Sequence, residues 1–226
     1  PHPGHIEFSE DGYTLSGWNS DLFDGAHTSP KPNFKGYFYI EFSRPYVDSY
    51  CSGNDQDEVQ AVVTFAEDGP LMAKIGLSLI SVEQARSNLK QEVGERSFRS
   101  VRRLARKRWK DQFDKINIDA SDDVKEWNKE LSRIKIEGND EVKTIFYTAL
   151  YHSLLYPRKI DEYGRYYSAF DDAIHDGVMY NCWSMWDTYR AEHPLLTLVA
   201  PEHIDDMMQS LVEMYHEGGW LPKWPN

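Results

Sequence analysis

The sequence predicts an α+β protein in which antiparallel strands come first and helices follow. Up to about residue 80, short runs of β-branched and aromatic residues alternate with turn residues, as in 36–42 and 58–65. This pattern is typical of an antiparallel β-sandwich. Beyond that point, apolar residues recur at three- and four-residue steps, which predicts amphipathic helices. Strands and helices segregated in this way favour an α+β or two-domain arrangement over βαβ repeats.

Capping residues and prolines delimit the predicted helices. Ser81 followed by Gln84 predicts a capping box, in which each side chain bonds the other residue's backbone. Further helices are expected over 98–113, after Ser121 and after Gly138, the last of these ending before Pro157. The segment 161–176 is polar and rich in Tyr, and we expect a long loop with short extended pieces there.

Prolines indicate where the last two helices begin or break. A helix is expected to begin between residues 183 and 187, and Pro194 predicts a kink or break within it. Pro201 suits the first turn of the final helix. Gly218 and Gly219 predict a left-handed cap at its end.

Composition narrows the possible functions. The chain has 226 residues, of which 40% are hydrophobic and 27% charged, as expected for a folded globular protein. A net charge of −12 argues against nucleic-acid binding, which requires basic residues to neutralise phosphates. No apolar run reaches the ~18 residues of a membrane span, so none is predicted. The start at Pro1, without Met or a signal peptide, and the abrupt end at Asn226 suggest a processed or truncated product.

Two cysteines and one basic segment leave alternatives open. Cys51 and Cys182 lie far apart and form no CxxC pattern, which excludes a zinc site of the usual spacing. A disulfide and two buried free thiols both remain possible. The basic residues of 96–110 suit either a polyanion or membrane patch or the solvated face of an amphipathic helix. The acidic character of the whole chain favours the solvated face.

The strongest candidate site lies at 183–190, which contains Trp186, Asp187, Tyr189 and Arg190. A carboxylate accepts hydrogen bonds from sugar hydroxyls, a guanidinium donates them, and an aromatic ring stacks on the sugar's C–H face. Asp187 and Arg190 are three positions apart, so an intrahelical ion pair explains the spacing equally well.

Two further segments could carry chemistry. In 218–224, Trp220 and Trp224 either line the mouth of a helical barrel or fill the core beneath the loop. Asp171, Asp172, His175 and Asp176 could bind a metal or act as acid and base, but a solvated loop is favoured. There is no HExxH motif, phosphate-binding Gly-rich loop or GxSxG elbow.

The chain resembles glycoside hydrolase family ninety-two in landmarks that come in the family's order. These landmarks are 75–89, 146–153, 180–197, Pro201 and 218–224, with a looser match over 1–74. Family members are calcium-dependent exo-α-mannosidases that invert the anomeric centre. Their fold is a β-sandwich followed by an α/α toroid of six hairpins. The resemblance implies a multidomain α+β chain with the end of the sandwich in 1–80, a helical linker in 81–138 and the first toroid helices in 139–226.

The resemblance also implies what this chain contributes. The general acid, the general base and most of the calcium ligands are expected beyond Asn226, so no catalytic residue is expected here. Asp187 would bind mannose hydroxyls in the −1 subsite, with Trp186, Arg190 and Trp224 as wall or support residues. The expected partners are a mannose-containing oligosaccharide or glycan and the rest of the same polypeptide. We further expect a secreted or extracytoplasmic protein.

Two other functions remain open. Trp-Asp-x-Tyr also occurs in trehalase-like inverting toroid glycosidases, although the β-sandwich and the 218–224 segment favour a mannosidase. A non-catalytic sugar-binding or structural fragment is the third possibility. The chain is much shorter than a complete family member, and its basic segment 96–110 is not part of the family pattern.

Overall fold

The computed structural model describes residues 3–20, 33–55, 59–116 and 140–222. The strands are β1 (Gly4–Phe8), β2 (Thr14–Asn19), β3 (Gly36–Phe42), β4 (Tyr46–Ser52), β5 (Gln60–Phe65), β6 (Ala73–Ser78), β7 (Arg158–Lys159), β8 (Arg165–Ser168), β9 (Ala173–Asp176) and β10 (Tyr180–Asn181). The helices are α1 (Val82–Glu92), α2 (Phe98–Phe113), α3 (Asp140–Ser153), α4 (Met185–Thr188), α5 (Glu192–Val199) and α6 (Ile204–Gly218), with a 3₁₀ turn at Pro201–His203.

The largest sheet has four antiparallel strands in the order β1-β2-β3-β6. Strands β4 and β5 form a separate antiparallel pair. The α+β class is therefore confirmed: β1 to β6 precede all six α-helices of the described residues, and the short strands β7 to β10 lie between α3 and α4. The closed sandwich and the toroid stay predictions.

Helix α1 packs directly on β6, and a glycine makes this approach possible. A Cβ at Gly76 would lie 2.1 Å from the Ala85 carbonyl oxygen and 2.8 Å from Leu89 Cβ. Ala85, Leu89 and Tyr39 form a small buried cluster at this contact. The core of this region therefore lies between the sheet and α1.

The predicted cap of α1 is half right. Ser81 Oγ accepts a hydrogen bond from the backbone N–H of Gln84 at 3.1 Å, as expected. The Gln84 side chain does not return to Ser81: its amide donates to Asn88 Oδ1 at 2.9 Å, and its oxygen accepts from Arg165 at 2.6 Å. The predicted hydrogen bond from Ser81 to the Gln84 side chain is therefore wrong, because the Gln84 side chain binds Asn88 and Arg165 instead.

Helices α2 and α3 contact each other through aromatic rings. Trp109 of α2 lies 4.7 Å from Tyr151 of α3 between ring centroids, and Phe113 lies 5.9 Å from Tyr147. The basic residues 102–108 of α2 are exposed, and Lys107 forms an ion pair with Asp111. This exposure fits a solvated face, although it does not test the alternative of a binding patch.

The segment 161–176 forms a hairpin in which β8 pairs antiparallel with β9, so the extended pieces expected there pair with each other. Asp171 and Asp172 have different partners. Asp171 lies 2.8 Å from His175 Nε2, whereas Asp172 accepts from the hydroxyl of Tyr167 at 2.7 Å. With separate partners, the two carboxylates do not form one dyad. Burial, supported by the hydrogen bond to Asp172, raises the pKa of Tyr167.

A carboxylate joins this hairpin to β6 and α1. Glu162 accepts from the backbone N–H of Leu79 through Oε1 at 2.7 Å and from Asn88 Nδ2 through Oε2 at 2.7 Å. Asn88 is only 6% exposed.

Contacts divide the chain into two compact units. Unit 1 contains Pro1–Arg96 and Asp161–Gly177, and unit 2 contains Ser97–Ile160 and Val178–Asn226. The β8–β9 hairpin thus belongs to the same unit as the four-stranded sheet. The domain bounds at 80 and 138 stay a prediction.

The turns near the last helices follow the sequence closely. Instead of kinking one helix, Pro194 lies in the first turn of α5, and the chain breaks between α4 and α5 before it. Gly219 caps α6 in the left-handed conformation, with φ 75°. Among the described residues, none of the helices combines the length and apolar character that a membrane crossing requires.

Candidate functional site

The candidate site begins with a strained turn. Cys182 and Ser184 have φ values of 60° and 44°, and the left-handed region costs a residue other than glycine roughly 1–2 kcal/mol. Trp183 between them is 1% exposed, and its indole N–H donates to the Tyr180 carbonyl at 3.1 Å. The Tyr180 backbone N–H in turn donates to the hydroxyl of Ser210, which is fully buried. Buried side chains therefore support a conformation that the turn would not favour alone.

Thr188 closes the turn at the end of α4. Its Oγ1 lies 3.0 Å from the carbonyl oxygen of Trp183 and 3.2 Å from that of Ser184. The same Oγ1 lies 2.8 Å from Nε2 of His193, in the first turn of α5. Burial lowers the pKa of His193, which favours the neutral ring. One hydroxyl thus joins α4, α5 and the strained turn.

The turn places a group of polar and aromatic side chains on the surface. Trp186 is 68% exposed, and Asp187, Tyr189 and Arg190 are exposed as well. The Arg190 Nε–H donates to the Tyr189 hydroxyl at 2.9 Å, and the guanidinium lies 5.5 Å from the Tyr189 ring centroid. These groups supply the acceptor, the donor and the flat ring that sugar binding requires.

Asp187 and Arg190 do not share one helix. Helix α4 ends at Thr188, so Arg190 lies in the connection to α5. Within the described residues, no hydrogen bond or ion pair joins Asp187 to Arg190, and the guanidinium contacts Tyr189 instead. The intrahelical pair that explained the spacing equally well is absent there. The role of Asp187, Trp186 and Arg190 in sugar binding stays a prediction.

The fourth predicted residue, Trp224, lies outside the described residues. The loop that leads to it begins after Gly219, whose N–H donates to the Tyr215 carbonyl at 2.8 Å. Trp220 at the start of this loop is 80% exposed. The alternative in which Trp220 fills the core beneath the loop is therefore wrong.

The described residues form neither a metal-binding cluster nor a disulfide. Among the described residues, no group of three or more His, Cys, Asp or Glu side chains could hold a metal ion. These residues alone therefore do not fit a calcium site. Cys51 and Cys182 are free thiols and are half-buried, so the disulfide alternative is wrong and the thiols are less buried than the other alternative expected. Burial raises the pKa of the Cys182 thiol.

Sequence reasoning missed Thr188 and His193. Both stand within the segments that carried the resemblance, but five positions apart they match neither a helical pair nor a known motif. Only the break between α4 and α5 brings their side chains together. The available signal was Pro194, whose place at a helix start puts His193 in the first turn.

Comparisons with known proteins point in one direction. Residues 120–226 match the sequence model of the glycosyl hydrolase family 92 catalytic domain. No curated protein sequence matches the chain. Among solved structures, the chain is similar to a family 92 inverting mannosidase from Bacteroides thetaiotaomicron VPI-5482, with 28% identity, 98% of this chain covered and a TM-score of 0.78.

Two further structures are similar over nearly the whole chain. One, titled a family 92 glycosyl hydrolase, has 25% identity, 99% of this chain covered and a TM-score of 0.74. The other, an α-mannosidase from Bacteroides thetaiotaomicron in complex with mannoimidazole, has 21% identity, 99% coverage and a TM-score of 0.76, which supports the fold alone. The chain spans only 29% to 30% of the length of these three proteins.

Proposed function

We propose that this chain, whose residues 120–226 match the sequence model of the glycosyl hydrolase family 92 catalytic domain, is part of a family 92 exo-acting α-mannosidase that hydrolyses terminal α-mannosides of glycans. The observation that carries the proposal is the similarity to an inverting mannosidase over 98% of this chain at 28% identity. The whole protein would be a glycoside hydrolase, and this chain would supply parts of its substrate-recognition surface.

The exposed side chains of 186–190 suit that role chemically. The Asp187 carboxylate would accept hydrogen bonds from mannose hydroxyls in the −1 subsite, and Arg190 would donate to the sugar or support the wall beside it. Trp186 offers an exposed ring for the C–H face of the sugar. We propose Trp224 as a further wall residue.

Inverting hydrolysis requires two carboxyl groups roughly 6.5–9.5 Å apart, one of which protonates the leaving oxygen while the other activates a water. We propose that both groups lie outside this chain, together with most of the calcium ligands. Because the described residues include no metal-binding cluster, no catalytic step of this chain is assigned to calcium. Its residues would bind and orient the sugar.

The finer architecture belongs to the same proposal. The four-stranded sheet would be part of an N-terminal β-sandwich ending near residue 80, residues 81–138 a linker, and α3 to α6 the first helices of a six-hairpin toroid. A secreted or extracytoplasmic location is also proposed, and cell fractionation with an antibody to the chain tests it.

The activity is tested with the full-length enzyme. We expect hydrolysis of terminal α-mannosides, inversion of the anomeric centre by NMR, and loss of activity with a calcium chelator. Trehalose cleavage that is indifferent to chelator would contradict the proposal and support a trehalase-like enzyme. Turnover by the 226-residue chain alone would refute the placement of the acid and base elsewhere.

The role of Asp187 is tested by Asp187→Asn in the full-length enzyme. Loss of a charged hydrogen bond in a water-excluded site is expected to lower kcat/KM by roughly two to three orders of magnitude. Asp205→Asn is the matched control, because Asp205 is an exposed carboxylate on α6 of the same unit. If both variants stay within about threefold of the wild type, Asp187 does not contact the transition state.

A further inference from the structure

The hydroxyl of Thr188 has more neighbours than it has hydrogens. It lies within hydrogen-bond distance of the Trp183 and Ser184 carbonyl oxygens and of His193 Nε2, yet it can donate only once. The Ser184 carbonyl already accepts from the backbone N–H groups of Asp187 at 2.9 Å and Thr188 at 3.1 Å. The Trp183 carbonyl is therefore the acceptor that most needs the hydroxyl.

This assignment determines which nitrogen of His193 carries the proton. If the Thr188 hydroxyl donates to Trp183 at 3.0 Å, Oγ1 is left as an acceptor toward His193. Nε2 must then bear a hydrogen and donate it to Oγ1 across 2.8 Å. The result is a directed chain from the His193 N–H through Thr188 to the Trp183 carbonyl.

We infer that His193 is a positioning residue for the sugar contact: through Thr188, it fixes the turn that presents Trp186 and Asp187. The inference rests on the proposed role of Asp187, which directly precedes Thr188. Trp183 anchors the start of the turn, and without this chain the end of the turn, after the left-handed Ser184, would lose its link to α5 and could relax. Relaxation would move the carboxylate of Asp187 away from a bound sugar.

The neighbours of His193 are consistent with this role. Its ring lies 6.0 Å from that of Trp183 between centroids, so it also packs against the side chain that anchors the turn. Burial lowers its pKa, which favours the neutral ring, and the hydrogen bond to Thr188 selects the tautomer. His193 itself need not touch the substrate.

The first test compares variants of the full-length enzyme that differ only in the hydrogen bonds. Thr188→Val and His193→Leu remove the chain and should lower kcat/KM on an α-mannoside by about tenfold to a hundredfold, the order expected for misplacing a binding group. Thr188→Ser and His193→Gln keep a hydroxyl and an N–H, and should recover most of the loss. Thr197→Val is the matched control, because its hydroxyl bonds the Pro194 carbonyl in α5 away from the turn.

A double-mutant cycle distinguishes positioning from general destabilisation. In the Asp187→Asn background, Thr188→Val should lower kcat/KM by a smaller factor than in the wild type, since one of the two groups that the turn presents is already disabled. Multiplicative losses in the double variant would overturn the inference, and so would wild-type kcat/KM in Thr188→Val and His193→Leu. These outcomes differ from failure of the proposed function, which appears as no α-mannosidase activity in the wild type or none lost in Asp187→Asn.

The hydrogen-bond chain also has a readout that needs no activity. The amides of Asp187 and Thr188 donate to Ser184, and their hydrogen exchange should accelerate in Thr188→Val and His193→Leu but not in the Ser and Gln variants. Unchanged exchange in all four variants would overturn the inference even if the enzyme proved to have another substrate.

Discussion

Replacement of Glu162 should release the β8–β9 hairpin from the sheet unit. Its two carboxylate oxygens accept from Leu79 and Asn88, each at 2.7 Å. Hydrogen bonds to a charged group contribute about 1.5–3 kcal/mol each. Glu162→Ala leaves the Leu79 N–H and one of the two Asn88 Nδ2 hydrogens without these acceptors, while the other Asn88 hydrogen keeps the Leu77 carbonyl at 2.8 Å. The expected loss is therefore about 3 kcal/mol, nearer the low end of the sum.

Glu162→Gln is not a conservative change at this position. Both partners are donors, and the amide of Gln offers only one acceptor oxygen; its NH₂ group would face another N–H. One of the two hydrogen bonds is lost, which costs about 2 kcal/mol. The two substitutions thus predict a graded effect from the same geometry.

Hydrogen–deuterium exchange of the full-length protein measures this effect locally. If the hairpin opens as a unit, the peptide covering 161–177 should exchange on the order of a hundredfold faster in Glu162→Ala and about 30-fold faster in Glu162→Gln. Glu92→Gln, at the exposed end of α1, serves as the control and should leave this peptide unchanged. Exchange within about twofold of the wild type in Glu162→Ala would refute the claim that the carboxylate holds the hairpin.

Two further predictions concern packing and one ion pair. Gly76→Ala should destabilise the sheet unit by about 3 kcal/mol in urea unfolding, because the new Cβ would lie 2.1 Å from the Ala85 carbonyl oxygen. Gly36→Ala is the control and should cost far less, because its Cβ would lie 3.3 Å from Asn19 Oδ1. Equal losses of stability in the two variants would refute the packing argument. Lys115→Met removes a 2.5 Å contact to Glu202 and should cost only about 1 kcal/mol, since the carboxylate is half exposed. Burial, the largest single influence, would raise the pKa of Glu202, but the hydrogen bond from Lys115, a backbone hydrogen bond and the nearby charges of Lys115 and His203 together lower the pKa below its ordinary 4.5. The part of the stabilisation that depends on the Glu202 charge is therefore present above that pH and is lost as the pH falls through the folded-state pKa. Lys115→Met also removes a hydrogen bond to the Val199 carbonyl at 3.0 Å, which does not depend on that charge, so a difference from the wild type that is equal at neutral pH and in acid would contradict the argument.

The parts of the fold that depend on interactions within one helical turn were predictable from the sequence. Ser81 begins α1 and Gly219 caps α6 as the sequence predicted, because a hydroxyl at an N-cap and a glycine in the left-handed region act within one turn. The reciprocal contact of Gln84 was not predictable, because its actual partner Arg165 lies 81 positions away. Such partners depend on tertiary structure, which no local pattern encodes.

The candidate site shows the same division between local and long-range information. The residue types of Trp186, Asp187 and Arg190 predicted a sugar contact, which stays a prediction, and all three side chains are exposed. The single helix expected to carry Asp187 and Arg190 is interrupted. Helix α4 ends at Thr188, and Ala191, with φ −138°, lies outside the helical conformation before α5 begins. Alanine itself does not signal this break. Thr188 and His193 were missed for the same reason, since their contact exists only after the break.

The assignment of 161–177 to unit 1 has a consequence for biosynthesis. The chain emerges from the ribosome in order, so the strands and α1 are made well before the hairpin that supplies Glu162 and Arg165. Until that hairpin is complete, Leu79 and Asn88 lack the carboxylate that pairs with them. Unit 1 therefore cannot reach its final state during synthesis before residue 177 has left the exit tunnel, although β6, the last strand of its four-stranded sheet, ends about a hundred residues earlier. Expression of residues 1–96 alone should accordingly yield a less stable unit than a chain that continues through 177.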